Sequence, residues 1–362
     1  MNPARRLAAI RQTMVSESVD ALLVATPANV AYLTGFESVF DEEPSAVCVI
    51  AQSAARVYVD ARYDEGTRAA AEGGAWSVVG PESDVWERAL GDLAPDGAST
   101  VALEASVSHK RYMKVAAVRG GELREADAWV EQIRIVKEDE EIERIASAAA
   151  LADAAFDHVL GIIAPGVTEI DIALDLELFM RRHGSEGVAF PSIVASGPNG
   201  SRPHAKVTGR ALERGDLVTM DFGARIGGYC SDMTRTVGVG EIDAERRRIY
   251  ETVRAANEAG LAAVRGGLAG TEIDAAARCV IDAAGFGDRF GHGLGHGVGL
   301  EVHEAPSVGP RGVKPVPANS VITVEPGVYV PGVGGARIED LVVVGEEGPT
   351  VLSHSPKDLI EL

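Results

Sequence analysis

The sequence predicts two domains: an α+β domain over residues 131–362, preceded by a smaller α/β domain with a mixed sheet over residues 1–130. Two observations predict this division. A chain of 362 residues exceeds the usual size of one domain, and each half is long enough to bury its own core. Near Trp129 the pattern also changes, from short strands alternating with helices to long helices and glycine-rich strands.

The first domain alternates helical and strand patterns along the chain. ARRLAAIRQTMV has the apolar spacing of an amphipathic helix, and ALLVA (21–25) is typical of a short buried strand. Further strand patterns are AVCVI (46–50), RVYVD (56–60), WSVVG and STVALEA, and RYDEGTRAAAE predicts a helix among them. The acidic, proline-containing segment FESVFDEEPSA (36–46) predicts an exposed loop.

Four long helical patterns organise the second domain. The first, KEDEEIERIASAAALADAAFDHVLGII, crowds acidic residues at its start, where they suit the helix dipole. EIDIALDLELFMRRHG follows and closes at Gly184, and later helices run through AERRRIYETVRAANEAGLAAVRGG and TEIDAAARCVIDAAG. Glycine-rich strand patterns lie between and after them. We therefore expect antiparallel strands whose one face is covered by the helices.

Composition narrows the classes of function. The chain carries 34 basic and 54 acidic residues, a net charge of −20, which repels phosphate backbones. A nucleic-acid partner is therefore not expected. MNPARRLAAIRQ lacks the apolar stretch of a signal peptide, and no apolar run is long enough to span a bilayer. These patterns predict no membrane partner and a cytoplasmic location.

Three cysteines are present, at Cys48, Cys230 and Cys279. Their odd number and the lack of a CxxC pair argue against a disulfide framework and against a thiolate zinc site. Each is expected to be a small buried apolar side chain, which is consistent with a reducing cytoplasm.

Two aspartates lie in a predicted hairpin, LVTMDFGARIGGYCSDMTRT. A turn at residues 226–227 places Asp221 directly opposite Asp232. A turn at residues 227–228 instead makes the two aspartates diagonal neighbours on the same face. Either register leaves their Cβ atoms roughly 4.5–8 Å apart. Two buried carboxylates at that separation must share a proton or hold a cation.

A second predicted hairpin, ITVEPGVYV-PGVGG-ARIEDLVVV, carries two glutamates. Glu325 and Glu339 lie symmetrically about Gly332, so we expect them on facing strands. Asp340 is expected to point to the opposite face from Glu339. Four carboxylates in one pocket would be very costly without a metal ion.

Two histidines in GHGLGHGVGLEVHE offer nitrogen ligands. His292 and His296 are four apart, but glycine at every second position makes a helix unfavourable. As a strand, the segment places both histidines on one face, and the glycines on the other face let another backbone approach closely. One imidazole with four carboxylates suits two divalent ions such as Mn²⁺ or Co²⁺, because one ion cannot absorb so many anionic ligands.

Each piece alone has a simpler explanation. A hairpin with two aspartates is usually solvated, and a lone strand histidine is usually structural. The glycine run does not have the GxGxxG spacing of a dinucleotide loop, and GxSxG is absent. The combination of these pieces in one half of the chain favours a metal site.

At these residues the sequence resembles the pita-bread metallopeptidases, which include methionine aminopeptidase, aminopeptidase P and prolidase. The matching segments are MDFGARIGGYCSDMTRT, GHGLGHGVGLEVHE, ITVEPGVYV and ARIED, in that order, within the portion from about residue 138. VDALLVATPANVAYLTGF and YVDARY resemble the opening domain of the aminopeptidase P and prolidase branch. The resemblance implies a C-terminal pita-bread (creatinase/aminopeptidase) domain after a creatinase/prolidase-type α/β domain. Creatinase itself lacks the metal-ligand set.

The resemblance implies a role for each candidate residue. The implied metal ligands are Asp221, Asp232, His296, Glu325 and Glu339. The implied catalytic residues are His292, Glu325 and His303. The implied substrate-binding residues are His204, His292, His303 and Arg337. Arg337 is placed two residues before Glu339 on the same face, where it can orient a ligand carboxylate, and Tyr329 is a weaker candidate for the same task.

The implied reaction is hydrolysis of the Xaa-Pro bond at the amino end of a short proline-containing peptide. Two divalent ions are expected, Mn²⁺ first, with Co²⁺ or Zn²⁺ as alternatives, and the resemblance implies a homodimer. The compact length favours an Xaa-Pro dipeptidase (prolidase), and the alternative is aminopeptidase P acting on longer peptides. A dipeptidase needs a cation for the proline carboxylate, which Arg311 or an N-terminal arginine of a partner subunit could supply. A metal-free peptide-binding module of the same fold is a remoter alternative, since it predicts eroded ligands.

Overall fold

A computed structural model describes residues 2–36, 39, 45–93, 98–118 and 122–362. Most of the loop predicted at 36–46 lies outside these residues. The chain divides into two compact units, Met1–Arg134 and Ile135–Leu362. The domain limits of 1–130 and 131–362 stay a prediction, because compactness alone does not show that a segment folds independently.

The first unit combines helices with one sheet. Its helices are α1 (Pro3–Ser16), α2 (Pro27–Thr34), α3 (Asp64–Ala71), α4 (Val85–Leu93), α5 (His109–Val118) and α6 (Trp129–Arg134). Its strands are β1 (Ala21–Val24), β2 (Ala46–Ala51), β3 (Ala55–Val59), β4 (Ser77–Val79), β5 (Thr100–Glu104) and β6 (Glu122–Ala126). Every strand and helix predicted for this region is present.

The six strands form a mixed sheet in the order β4-β3-β2-β1-β5-β6. The pairs β1–β2 and β2–β3 are antiparallel, whereas β1–β5, β3–β4 and β5–β6 are parallel. All four residues of β1 are buried, as expected for an apolar central strand covered on both faces. The predicted α/β domain with a mixed sheet is confirmed.

The second unit contains four longer helices and twelve strands among the described residues. The helices are α7 (Asp139–Leu160), α8 (Glu169–Arg182), α9 (Ala244–Ala263) and α10 (Gly270–Ala283). The first strands are β7 (Ile193–Ser196), β8 (Leu217–Phe222), β9 (Arg225–Ile226), β10 (Tyr229–Cys230), β11 (Met233–Gly238) and β12 (Gly295–Gly297). The later strands are β13 (Glu304–Val308), β14 (Val321–Val324), β15 (Gly327–Val330), β16 (Gly334–Arg337), β17 (Asp340–Val344) and β18 (Pro349–Val351).

The helices of this unit begin and end where their sequences predict. Helix α7 carries its acidic residues in the first turn and has a capping box between Glu138 and Glu141. Helix α8 is capped by Thr168, whose side chain accepts from the Asp171 N–H. Gly184, two residues beyond its end, has a φ of +108°, which suits glycine.

Two helix-covered antiparallel sheets make up the second unit. The first has the order β11-β8-β7, and its buried side chains share a core with α7 and α8. The second has the order β13-β12-β14-β17-β18 and shares a core with α9 and α10. The short hairpins β9–β10 and β15–β16 extend from these sheets. The predicted α+β arrangement is confirmed.

Two expectations need correction. Cys48 and Cys230 are buried, but Cys279 is exposed, because it lies two residues after the buried Ala277 of α10 and therefore off the apolar stripe. The glycine-rich histidine segment is not one regular strand, because only Gly295–Gly297 pairs as β12. His292 therefore lies in irregular backbone. Among the described helices, none combines the length and apolar character needed to cross a bilayer.

Candidate functional site

A cavity of about 450 Å³ lies in the second unit, within the size range of small-ligand pockets. Histidines, carboxylates and one arginine line it together with a few apolar side chains. The candidate residues in its wall are His204, Asp221, Asp232, His292, His296, His303, Glu325, Arg337 and Glu339. Chain segments more than a hundred residues apart in sequence thus meet at one place.

The β8–β11 hairpin brings Asp221 and Asp232 to this cavity. Its turn falls at residues 227–228, since Ile226 pairs with Tyr229. Asp221 is therefore opposite Thr234 and diagonal to Asp232. The alternative register with the two aspartates directly opposite is wrong, and the diagonal one is confirmed. The two positive-φ glycines of the turn, at +56° and +79°, explain the choice, because a tight two-residue hairpin turn needs both central residues in that region.

The glutamates reach the cavity from a second hairpin. Val324 pairs with Asp340 in one ladder and Gly327 pairs with Arg337 in the next. Both pairs are symmetric about residue 332, so the register places Glu325 opposite Glu339, as predicted. Each glutamate lies in the gap between the two ladders, where its backbone N–H donates elsewhere: that of Glu325 to Leu294 O and that of Glu339 to Thr234 O. The gap therefore joins the two sheets of the unit at the site.

Asp340 turns away from the cavity, as predicted. Its carboxylate is fully buried and accepts hydrogen bonds from Arg235 and Lys357. A carboxylate with two cationic partners has its charge compensated inside the protein. Asp340 is therefore not available as a further ligand.

His296 provides the nitrogen at the centre of the cluster. Its Nε2 lies 3.2 Å from Glu325 Oε1 and 3.6 Å from Asp232 Oδ2, and its Nδ1 lies 3.1 Å from the Gly297 carbonyl oxygen. One ligand atom each from Asp232, His296 and Glu339 fall within 4.8 Å of one another. Since a carbonyl only accepts, Nδ1 carries a proton. Nε2 donates to Glu325 while the ring is protonated, and after losing that proton it can bind a cation in the same place.

Close backbone packing explains the glycines around His296. A Cβ at Gly295 would lie 2.0 Å from Thr323 O, and one at Gly297 would lie 2.1 Å from Ala305 O. Any other residue would push β12 away from its neighbours. The predicted close approach is confirmed at these two positions, and it holds His296 against the strand that leads to Glu325.

Arg337 ties the first pair of carboxylates to the second. Its guanidinium donates to Asp221 Oδ2 (2.7 Å), to Tyr329 Oη (2.8 Å) and to Thr234 Oγ1 (2.9 Å). Thr234 Oγ1 in turn donates to Glu339 Oε2 at 2.7 Å. The arginine thereby holds one oxygen of Asp221 in place, and the threonine holds one oxygen of Glu339.

Thr234 is a site residue that the sequence reasoning missed. It lies two residues after Asp232 and opposite Asp221. The turn register, taken one step further, would have placed it on the same face. Tyr329 is placed by the same network, because its hydroxyl also lies 3.0 Å from His292 Nε2.

Burial and mutual repulsion shift the pKa values of the carboxylates in the cluster. Burial, and then the charges of Glu339, Asp221 and Glu325, raise the pKa of Asp232 well above its usual value. Burial and the neighbouring carboxylates also raise the pKa of Glu339, and burial outweighs Arg337 to raise that of Asp221. Burial opposes ionisation of Glu325 as well, but the hydrogen bond and charge of His296 lower its pKa to about 2. The positive charges near Asp232 and Glu339 are therefore too few to stabilise the ionised forms of these two carboxylates.

Two buried oxygens of the cluster have no partner. Among the described residues, nothing hydrogen-bonds to Asp221 Oδ1 or to Glu339 Oε1. A buried carboxylate oxygen without a donor costs free energy unless a cation or a proton meets it. The donor set of one imidazole and four carboxylates is one that divalent cations accept. The residues present therefore fit a divalent metal site.

The remaining histidines line the same cavity, and the ring of His303 lies 4.3 Å from that of His296. Burial lowers the pKa of His292, and burial followed by the charge of His296 lowers that of His303. Both are therefore neutral over most of the physiological range, in which state each has one donor and one acceptor nitrogen. His204 is a third lining residue, and Arg311 is exposed and lies outside the cavity wall.

Two family models match this chain, one over most of each unit. The model of metallopeptidase family M24 matches residues 143–346, and the creatinase/prolidase N-terminal domain matches residues 6–136. An uncharacterised peptidase of Bacillus subtilis is 38% identical over 359 residues, covering 99% of this chain and 100% of that protein.

Two solved structures are similar over nearly the whole chain. An Xaa-Pro dipeptidase from Bacillus anthracis superposes with a TM-score of 0.94 at 35% identity, covering 100% of both chains. An X-Pro aminopeptidase from Thermotoga maritima superposes with a TM-score of 0.86 at 35% identity, covering 95% of this chain and 98% of that one. The resemblance that the motifs predict is confirmed.

Proposed function

This chain belongs to metallopeptidase family M24, and from that premise we propose that it hydrolyses the Xaa-Pro bond at the amino end of short peptides. The finer proposal is an Xaa-Pro dipeptidase with two divalent metal ions. Solved structures that are both 35% identical to this chain are named for the dipeptidase and for the aminopeptidase. Similarity thus supports Xaa-Pro as the substrate class and leaves the substrate length to be tested.

The observation that carries this proposal is the pair of partnerless buried oxygens, Asp221 Oδ1 and Glu339 Oε1, beside an imidazole Nε2. We assign Asp221, Asp232, His296, Glu325 and Glu339 as the ligands of two divalent ions. Two ions rather than one follow from the charge count, since four carboxylates exceed what one divalent ion neutralises. Mn²⁺ is the proposed metal, because a site dominated by carboxylates suits hard cations, and Co²⁺ and Zn²⁺ are the alternatives.

Divalent ions bound here would lower the pKa of water and polarise the carbonyl before proline. The side chains accept the proton of the water and stabilise the oxyanion. The carboxylate of Glu325, whose Oε1 is held by Thr323 Oγ1 at 3.1 Å, is the proposed acceptor of the water proton. His292 is the proposed donor to the developing oxyanion, and for this its ring must exchange its present contact with Gly293 O (2.8 Å) or with Tyr329 Oη (3.0 Å) for one with the substrate.

His204 and His303 are the proposed contacts for the substrate. Proline's nitrogen carries no hydrogen in a peptide bond, so the site must recognise the ring by its shape and faces. Imidazole rings at the cavity wall can pack against such a ring, and Phe190 and Pro191 extend this wall. Arg337 is already committed to Asp221 and Tyr329, so its proposed part in substrate binding is to hold these two groups in position.

The length of the substrate decides between dipeptidase and aminopeptidase P. We propose the dipeptidase, which the compact chain and the higher TM-score of 0.94 support. The exposed position of Arg311 leaves the source of a cation for the proline carboxylate to a partner subunit or to the metal site itself. Rates of hydrolysis of Xaa-Pro and of the matched Xaa-Pro-Xaa at saturating Mn²⁺ test the proposal. A strong preference for the longer peptide would reassign the chain to aminopeptidase P.

Elemental analysis tests the metal centre itself. Two equivalents of divalent metal per chain support the proposal, and a chain that stays metal-free and still binds proline peptides would be a binding module. We also propose a homodimer in the cytoplasm, where the three free thiols would stay reduced. Light scattering of the purified chain gives its mass in solution.

A further inference from the structure

The strand pair that carries both glutamates lacks one hydrogen bond beside them. Ile338 N–H donates to Pro326 O at 3.5 Å. Pro326 cannot return the bond to Ile338 O, because proline has no N–H. A buried carbonyl without a donor destabilises the structure, and Ile338 is fully buried. Some other group must therefore replace the missing donor.

Asn257, on the neighbouring helix α9, supplies that donor. Its side chain is fully buried, and Nδ2 lies 3.4 Å from Ile338 O and 3.0 Å from Val324 O. These two carbonyls belong to the peptide groups that immediately precede Glu339 and Glu325. One amide thus bridges the two strands at the point where both glutamates turn into the cavity.

A lysine fixes the orientation of this amide. Lys357 Nζ donates to Asn257 Oδ1 at 2.9 Å and to Asp340 Oδ2 at 2.6 Å. Asp340 is held in turn by Arg235 at 2.8 Å. Because an ammonium group only donates, the amide oxygen must face Lys357 and the amide nitrogen must face the two carbonyls. The bridge therefore has one orientation.

We propose that Asn257 is a positioning residue of the metal site, which sets the separation of Glu325 and Glu339 by bridging the peptide groups before them. The inference rests on the proposed assignment of these glutamates as metal ligands. Asn257 itself does not line the cavity and so acts only through the strands. A chelating site tolerates displacements of only about 0.5 Å, so a relaxed strand pair binds metal more weakly.

Calorimetric titration of the metal-stripped chain with Mn²⁺ tests the proposal. Asn257→Leu removes the donor without adding charge, and Asn257→Asp keeps the shape and the Lys357 contact but removes the donor. Both variants are expected to weaken Mn²⁺ binding about 10- to 100-fold, as the loss of partners behind a metal ligand typically does. Activity should return at high Mn²⁺ with KM for the peptide unchanged, because the cavity wall is intact.

Val253→Ala is the matched control. Val253 is fully buried one turn earlier on α9, so its truncation loosens the same core without touching the bridge. The control should lose thermal stability and keep wild-type Mn²⁺ affinity. If neither Asn257 variant folds, Lys357→Met provides the second test, with a several-fold loss of affinity expected because the amide is no longer oriented.

The outcomes separate this inference from the proposed function. Mn²⁺ affinity within twofold of wild type in Asn257→Leu, or in a folded Lys357→Met when the Asn257 variants do not fold, would overturn the inference. The same holds if Val253→Ala weakens binding as much as Asn257→Leu. A wild-type chain that binds no Mn²⁺ at all would refute the proposed function and the inference with it.

Discussion

Two buried glutamates of the second unit differ in a way that identifies the site. Glu169 is fully buried, like Glu339. Its two oxygens accept hydrogen bonds from the backbone N–H and hydroxyl of both Ser196 and Thr208, and from the amide of Asn199, at 2.6–3.1 Å. A carboxylate saturated in this manner has hydrogen-bond donors on both oxygens without a cation.

Glu339 accepts fewer hydrogen bonds than Glu169. Thr234 donates to one of its oxygens, and the other oxygen has no partner among the described residues. Burial is thus common to the structural carboxylate and to the proposed metal ligand, and the number of donors distinguishes them. The same criterion sets Glu104 of the first unit with Glu169, because Glu104 accepts from Ala25, Thr26 and Asn29.

The largest expected effect comes from replacing a carboxylate of the cavity. Asp232→Ala should lower metal affinity by at least about 100-fold and abolish Xaa-Pro hydrolysis, because one of three proposed ligands whose atoms lie within 4.8 Å of one another is lost. Metal content and peptide turnover measure this. Glu169→Gln is the control, with wild-type metal content expected. Full activity in Asp232→Ala would show that the carboxylates of the cavity do not hold a metal ion needed for hydrolysis.

Truncating the saturated carboxylate should affect stability and leave the metal site alone. Glu169→Ala leaves five donor groups without this acceptor, each costing about 1–3 kcal/mol, so a loss of at least about 5 kcal/mol in the free energy of unfolding is expected. Urea denaturation followed by far-UV circular dichroism measures it. A loss below about 1 kcal/mol would mean that water replaces the carboxylate, and Glu169 would no longer be a structural counterpart of Glu339.

Metal binding should stabilise the protein through the carboxylates of the cavity and not through Glu169. At free Mn²⁺ a hundred times its dissociation constant, binding should add about 2.7 kcal/mol to the free energy of unfolding of the second unit. Thermal melts with Mn²⁺ and with a chelator should differ accordingly in wild type and in Glu169→Gln. They should coincide in Asp232→Ala. An unchanged melt of the wild type would contradict the assignment of the partnerless oxygens to a cation.

The smallest effect is a pH dependence of the first unit. Burial, only partly offset by its hydrogen bonds, raises the pKa of Glu104 from 4.5. The folded state then holds this proton more tightly than the unfolded state, so the Glu104 contribution to stability falls as pH rises above about 4.5 and levels off above the folded pKa. Glu104→Gln should remove this decline whatever its effect on stability at one pH.

Tryptophan fluorescence isolates that measurement. All three tryptophans, Trp76, Trp86 and Trp129, lie in the first unit. Denaturation by urea at several pH values, followed by their emission, therefore reports on unfolding of the first unit, which contains Glu104. Parallel pH profiles of wild type and variant would show that the carboxylate titrates normally despite its burial.

The hairpins show how much of the site could be predicted. Residue count alone placed Glu325 opposite Glu339, because a hairpin register is symmetric about its turn. It left Asp221 and Asp232 with two registers, since either of two adjacent residue pairs could form the turn. Thr234 was missed for the same reason. Local turn geometry, which strand periodicity does not contain, decided between them.

Other features were beyond local patterns. His292 was expected on a regular strand, but only three residues of its segment pair as β12. Its position is instead fixed by Tyr329 from a distant hairpin. Asn257 carried no signal at all, because a single asparagine in an amphipathic helix is unremarkable until Pro326 is seen to need a donor.

By itself, the sequence determined the order of helices and strands, the shared faces of the carboxylates and the family to which the chain belongs. These depend on periodicity, turns and motifs within a few residues of one another. The tertiary structure alone decided which buried carboxylates are saturated with donors and which are left open, because donors such as Ser196, Thr208 and Thr234 come from other segments of the chain. Hydrogen-bond satisfaction is a property of the packed fold.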